Sequence, residues 1–321
     1  MAGDHGMRVG PPRPAVVIGA SLFLLAALVA VAVALSGRWD AWAAVAGAEG
    51  VGWRLRTPWL VGAVVCEVLA LLAGAVLWAS VFRACGARMG VREGVSVWLG
   101  SQLARYLPGR IWQATGLVAY VRARGDSGVV ALTVALVLQA GTLATGAGIG
   151  AAVLGPGVFG AIGPWSAVFG VLLIGAALAP PVLRAMIRLG RRLLREPSDS
   201  EPPAVQGRLL LRATLARLVL WLPHGLGFWL LLEGMLVSNP LGPLEATAVF
   251  AAAYVAGYLV ILAPAGMVVR EAAMASLLGV AGGLPIGPAA ALALAARLWS
   301  TLAELLGFGL AALIGMGARR R

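Results

Sequence analysis

The sequence predicts an all-α polytopic membrane helix bundle: about six crossing helices plus two re-entrant broken-helix hairpins in an inverted repeat. Three observations predict it. First, 60% of the 321 residues are hydrophobic and 12% are charged, against ~45–50% and ~25% in a soluble domain. Second, the apolar residues gather into stretches long enough to span ~30 Å of hydrocarbon. Their connections are too short to fold as soluble domains, so residues 1–321 read as a single transmembrane domain. Third, the net charge of +12 comes from arginine with no lysine, placed at the ends of apolar stretches and in one long loop. That is the positive-inside pattern of an oriented membrane protein, and no nucleic-acid partner is expected.

The elements follow in order. Residues 15–35 are uncharged and just long enough to span. A signal peptide cleaved at Ala32-Val33-Ala34 competes with this reading, but its apolar core would be only ~7–15 residues, so an uncleaved first helix is expected. Residues 37–57 hold Trp39, Trp42 and Trp53, with Trp59 just beyond, as at an aromatic interfacial belt. A second span covers 58–82, interrupted by Glu67 and followed by Arg83, Arg88 and Arg92. Residues 93–107 and 109–121 are apolar but too short to cross, and Pro108-Gly109 separates them. Arginines flank both outer ends, so 93–121 reads as a hairpin that enters and leaves on one side. Spans at 127–154 and 158–182 meet at an uncharged turn, Gly155-Pro156-Gly157.

The basic loop 183–212 comes next; its Pro/Ser/acidic centre, 196–203, reads as flexible. A span at 213–237 contains Arg217, His224 and Glu233. The halves 244–263 and 267–281, separated by Pro264-Ala265-Gly266, make the second hairpin, 244–281. The last span is 289–316. With the N-terminus in the cytoplasm, 83–92, 122–126, 183–212 and the C-terminus fall inside and collect the dense arginine groups. Only Arg38, Arg54 and Arg56 oppose the bias. The chain is expected in the cell membrane with both termini cytoplasmic.

Val97–Tyr120 and Val249–Leu278 resemble each other weakly: each has a half-helix, a tyrosine (Tyr106, Tyr258), a proline-glycine break, an arginine and a second half-helix. One hairpin opens inward and the other outward, an inverted-topology repeat of the kind common in transporters. Breaks in lipid leave backbone groups without partners, at several kcal/mol each. They are tolerated against protein or a water-filled cavity. Each second half-helix starts near the midplane, after Gly109 and Gly266. Helix N-termini carry about +0.5 charge and free N–H donors, and Arg110 and Arg270 stand beside them. An anionic head group is the natural ligand; packing kinks, and snorkelling of Arg105 and Arg110, are the plain alternative.

Other intramembrane charges are functional candidates by default. Arg297 and Glu304 are two turns apart on the last helix, and Glu271 follows Arg270; Arg297 is expected to neutralise Glu271 or Glu304. Glu67 is expected to meet an arginine of a hairpin, and Glu233 to reach water. His224 reads as either a hydrogen-bonded packing residue or a proton relay. Cys66 and Cys85 lack metal or disulfide spacing, and neither a metal nor a cofactor is expected.

Two motifs carry a family resemblance. Arg105-Tyr106-Leu107-Pro108-Gly109-Arg110, followed by Trp112, resembles the YxPG-type motif of the flippase-like, lysylphosphatidylglycerol synthase transmembrane-region family. Pro264-Ala265-Gly266-Met267-Val268-Val269-Arg270-Glu271 resembles that family's PGGxGxRE motif. Ala265 and Val268 stand where glycines are usual. The resemblance covers roughly residues 10–316. It implies lipid translocation without aminoacyl transfer, because no synthase domain follows Arg321. It also carries over Tyr106, Pro108, Gly109, Pro264, Gly266, Arg270 and Glu271 as site residues.

The expected function is therefore a lipid flippase rather than an enzyme. It would bind an anionic phospholipid or lipid-linked phosphate sugar between the hairpins. The rivals are a membrane-embedded lipid-modifying enzyme and a partner subunit that engages an envelope-synthesis enzyme through 183–212.

Overall fold

The computed structural model describes residues 50–102, 111–160, 207–259 and 268–318, with scattered positions between 161 and 206. Among them the regular elements are helices: α1 (Thr57–Ala84), α2 (Val91–Gln102), α3 (Ile111–Arg122), α4 (Gly128–Phe159), α5 (Gly207–Met235), α6 (Pro243–Leu259), α7 (Val269–Gly282) and α8 (Ile286–Ala318). An isolated bridge joins Trp53 to Leu236. Four of the helices, α1, α4, α5 and α8, are long and apolar enough to cross a membrane. The expected span at 15–35 lies outside the described residues, as does most of 158–206.

Side-chain placement fits lipid as the solvent. On α5, Leu211, Leu215, Leu218, Leu222 and Leu226 are exposed, whereas Ala213, Trp221, Phe228 and Leu232 are buried. A stripe of leucines three and four apart facing outward would be an aggregation liability in water and is the normal surface of a helix in a bilayer.

Two boundaries differ from expectation. Helix α4 starts on a cap, with Ser127 Oγ accepting from Val130 N at 3.3 Å. It then runs through Gly155-Pro156-Gly157, expected to be a turn, and stops at Gly160 with φ +56°. In the last turn a proline removes a single N–H, and the terminating conformation comes from the next residue able to take positive φ. Helix α5 begins at Gly207, so Arg208 and Arg212 ride on a helix rather than in the loop.

The short helices form two pairs. Helices α2 and α3 have 12 residues each, α6 has 17 and α7 has 14. At ~1.5 Å per residue none reaches ~30 Å. The outer ends of α2 and α3 are tied together: the Asp126 carboxylate accepts Arg88 N at 2.8 Å and Met89 N at 2.9 Å, and Arg124 pairs with Glu93. The outer ends of α6 and α7 also meet, since a Cβ on Gly282 would lie 3.0 Å from Pro240. The inner connections, 103–110 and 260–267, lie outside the described residues.

Two apolar cores sit along α1. Its C-terminal half, with Trp78 stacked on Phe82 at 5.0 Å and on Trp98 of α2 at 5.1 Å, packs with α2, α3 and the start of α4. Its N-terminal half, around Ala63, packs with the second half of α5, α6, α7 and the start of α8. The outer ends of the two pairs therefore lie toward opposite ends of α1. Small residues permit the close crossings, as membrane helices require: a Cβ at Gly146 would lie 2.7 Å from Trp221, and one at Gly150 would lie 2.9 Å from Ala252.

Candidate functional site

A polar layer lies between the two cores. Helix α1 contributes Glu67, α4 Gln139, α5 Arg217 and His224, α6 Tyr254, α7 Arg270 and Glu271, and α8 Arg297 and Glu304. Each follows from register. Glu67 sits between the residues α1 gives to one core and those it gives to the other, and so do Arg217 and Glu304 on their helices.

Glu67 is 4% exposed, and its Oε2 lies 2.7 Å from His224 Nδ1. Glu67 was expected to meet an arginine; its partner is the imidazole instead. Helix α1 packs most closely against α5, and Gly227 and Gly234 allow that approach: a Cβ on Gly227 would lie 3.1 Å from the Ala63 carbonyl, and one on Gly234 would lie 2.6 Å from Leu60. Arg297 Nη1 lies 3.8 Å from Glu271 Oε1, one of the two partners expected for it. Among the described residues, neither buried oxygen of Glu271 accepts a hydrogen bond. Glu233, expected to reach water, pairs with Arg56 at 3.7 Å.

Arg270 is arranged differently. Its guanidinium carbon lies 4.9 Å from the Phe250 ring centroid and 5.8 Å from that of Tyr254. Among the described residues no carboxylate comes within ion-pair distance of it. It lies in electrostatic range of Arg297, Glu67, Glu304 and Tyr254. A cation supported by aromatic faces is stabilised through the plane of the guanidinium, without calling on its in-plane N–H donors. Arg270 also occupies the first turn of α7, where the helix field favours negative charge. The residue before that helix, Val268, holds φ +71°, a glycine-like conformation that costs a β-branched residue about 1–3 kcal/mol.

Of the residues singled out from sequence, Tyr258, Arg270, Glu271, Arg297 and Glu304 are described. The last four share the polar layer, and Tyr258 stacks on Tyr254 at 6.1 Å. Arg105, Tyr106, Pro108, Gly109, Arg110, Pro264 and Gly266 lie outside the described residues. The first pair nonetheless points toward the layer. Ser96 Oγ donates to the Ala311 carbonyl at 2.9 Å, and Leu99 lies 3.8 Å from a Cβ placed on Gly307. Helix α2 thus runs antiparallel to α8, and its inner end, Gln102, comes alongside Glu304.

Phe250, Tyr254 and Arg217 were missed as site residues. Tyr254 accepts from Gln139 Nε2 at 3.2 Å, and Phe250 stacks on His224 at 6.1 Å. The signal was available: Phe250, Tyr254 and Tyr258 recur every four residues, one face of a helix otherwise rich in alanine. No group of three or more potential metal ligands occurs among the described residues. Compared with protein-family models and with curated proteins, the chain gives no match.

Proposed function

We propose that this chain is a multi-pass cell-membrane protein that moves an anionic phospholipid, or a lipid-linked phosphate sugar, between leaflets. In this reading six helices cross, α2–α3 and α6–α7 are re-entrant hairpins, and both termini are cytoplasmic. The head group binds in the polar layer with its phosphate on Arg270, bounded by Glu271, Arg297, Glu304 and Tyr258. By the motifs they match, Arg105, Tyr106, Pro108, Gly109, Arg110, Pro264 and Gly266 are assigned to the same head-group site.

The observation that carries the reading is Arg270: a cation inside the membrane, set on two aromatic rings, with no ion-pair partner among the described residues. Intramembrane charge is expensive, and an anionic ligand offsets that cost. Two short helix pairs whose outer ends face opposite ways add support, because such a plan lets a midplane site open to either side. The resemblance of 105–110 and 264–271 to the flippase-like family points the same way.

The test is reconstitution in liposomes containing labelled phosphatidylglycerol, with leaflet exchange read by quenching. Losing charge-assisted hydrogen bonds worth about 1.5–3 kcal/mol predicts roughly 10- to 150-fold slower exchange for Arg270→Ala, with partial recovery in Arg270→Lys. Equal exchange by wild type and Arg270→Ala refutes the site.

A second reading has one observation in its favour. An imidazole held by a buried carboxylate is how a general base is oriented, so the Glu67–His224 pair also fits a membrane-embedded lipid-modifying enzyme. Turnover of radiolabelled lipid by the purified protein would establish it.

A further inference from the structure

We infer that Glu67 and His224 form a proton-carrying site: the pair takes up one proton when an anionic head group enters beside Arg270, and the proton crosses with it. This rests on the flippase reading and adds a coupled ion to it.

The argument begins with charge. Among the described residues the layer holds three cations, Arg217, Arg270 and Arg297, and three carboxylates, Glu67, Glu271 and Glu304. Entry of a phosphate monoanion adds one negative charge to a low-dielectric interior, where uncompensated charge costs several kcal/mol. A proton taken up by His224 enters with it and leaves the net charge of the layer unchanged. The other titratable groups in the layer are Tyr254 and, beside Glu67, Cys66. Histidine is the side chain whose ordinary range spans neutral pH.

Geometry then couples the two events. The His224 ring stacks on Phe250, with centroids 6.1 Å apart and planes 20° apart, and Arg270 lies over the same phenyl ring at 4.9 Å. One aromatic side chain therefore separates the proton site from the anion site. The Glu67 side chain is 5% exposed and that of His224 22%, so the imidazole is the port. Facing a carboxylate, the neutral ring carries its proton on Nδ1 and donates it to Glu67 Oε2. Nε2 is left to accept the incoming proton from water, and the same nitrogen returns it to water on the other side. No other bond changes.

The test uses liposomes holding the full chain, labelled phosphatidylglycerol in both leaflets and an imposed gradient of one pH unit. Protons moving down the gradient carry the anionic lipid toward the alkaline side. One-to-one coupling predicts a leaflet ratio shifted by up to about tenfold, since one pH unit is a tenfold activity ratio. His224→Gln keeps a donor for Glu67 but binds no proton; it should exchange lipid more slowly and hold the ratio at unity. Wild-type exchange with a ratio indifferent to the gradient overturns the inference and leaves the flippase reading standing. A gradient response in His224→Gln equal to wild type overturns it too. No lipid movement by wild type at any pH removes the flippase reading and this one together. The wild-type arm is decisive alone, so a His224→Gln that fails to fold does not block the test.

Discussion

Glycine-to-alanine substitution should have opposite signs at two places in this protein, and the difference is set by a distance. Gly257 is buried where α6 crosses α7. A Cβ there would lie 2.6 Å from Arg270 Cβ and 3.3 Å from its Cα, whereas carbon atoms rest at ~3.5–4.0 Å. The two helices must part by about 1 Å. Overpacking of this kind costs about 1–3 kcal/mol, and replacing a helical glycine by alanine returns about 0.5–1 kcal/mol. The net expectation for Gly257→Ala is a loss of about 0.5–2 kcal/mol. Gly116, in mid-α3, has nothing within 4 Å of its would-be Cβ, so Gly116→Ala should gain about 0.5–1 kcal/mol from the same propensity term.

The readout is thermal unfolding in detergent, followed by thiol labelling of the two free cysteines, Cys66 and Cys85, both partly buried. The functional effect of Gly257→Ala should exceed the stability effect. The residue pushed aside is Arg270, and ~1 Å of misplacement at a binding centre is worth about 100-fold. A Gly257→Ala protein as stable as Gly116→Ala would show that α6 and α7 do not approach this closely. The placement of Arg270 would fall with it.

Two further outcomes follow from single contacts. Asp126→Asn turns one of two acceptor oxygens into a donor facing the Arg88 or Met89 N–H; it should cost about 1.5–3 kcal/mol and speed tryptic cleavage at Arg83 and Arg88, and an unchanged digestion rate would rule it out. Val268→Gly removes a side chain from a φ +71° position; relief of about 1–3 kcal/mol of strain, less ~1 kcal/mol for a more flexible unfolded chain, should raise the unfolding temperature, and a fall would contradict the backbone path into α7.

The four long apolar helices and the two short pairs were legible because lipid imposes a long-wavelength rule: about twenty apolar residues or a break. Charges at the outer ends of 93–121 sufficed to place them together, and Asp126 and Glu93 show the contacts that do it. Pairing inside the membrane was less legible. Glu67 and His224 are 157 residues apart, and nothing local distinguishes a histidine partner from an arginine one. That choice depends on which faces of α1 and α5 meet, and the small residues at 227 and 234 decide it only once the crossing is known. Phe250 was legible only as one member of an aromatic stripe: an aromatic residue in an apolar helix is ordinarily packing, and it becomes part of a site because Arg270 arrives from another helix.

The depth of the layer bears on whether it is structural. Glu67 stands ten residues beyond Thr57 in a helix of 28 residues, about 15 Å from its start, well away from either end. In a helix long and apolar enough to span, charge at such a position is costly. A layer kept only to fix helix register would be expected to pair its charges, and Glu67 with His224 and Arg297 with Glu271 fit that account. Arg270 does not. Its partners among the described residues are the faces of Phe250 and Tyr254, which support a cation without a countercharge. Were the register the whole purpose, Arg270→Met, of similar length and apolar, should stabilise the protein, as replacing buried charge often does, and leave lipid exchange untouched. If it binds an anion, the same substitution should stabilise the protein and abolish exchange. The stability measurement alone cannot separate the two accounts; the divergence of stability from exchange does.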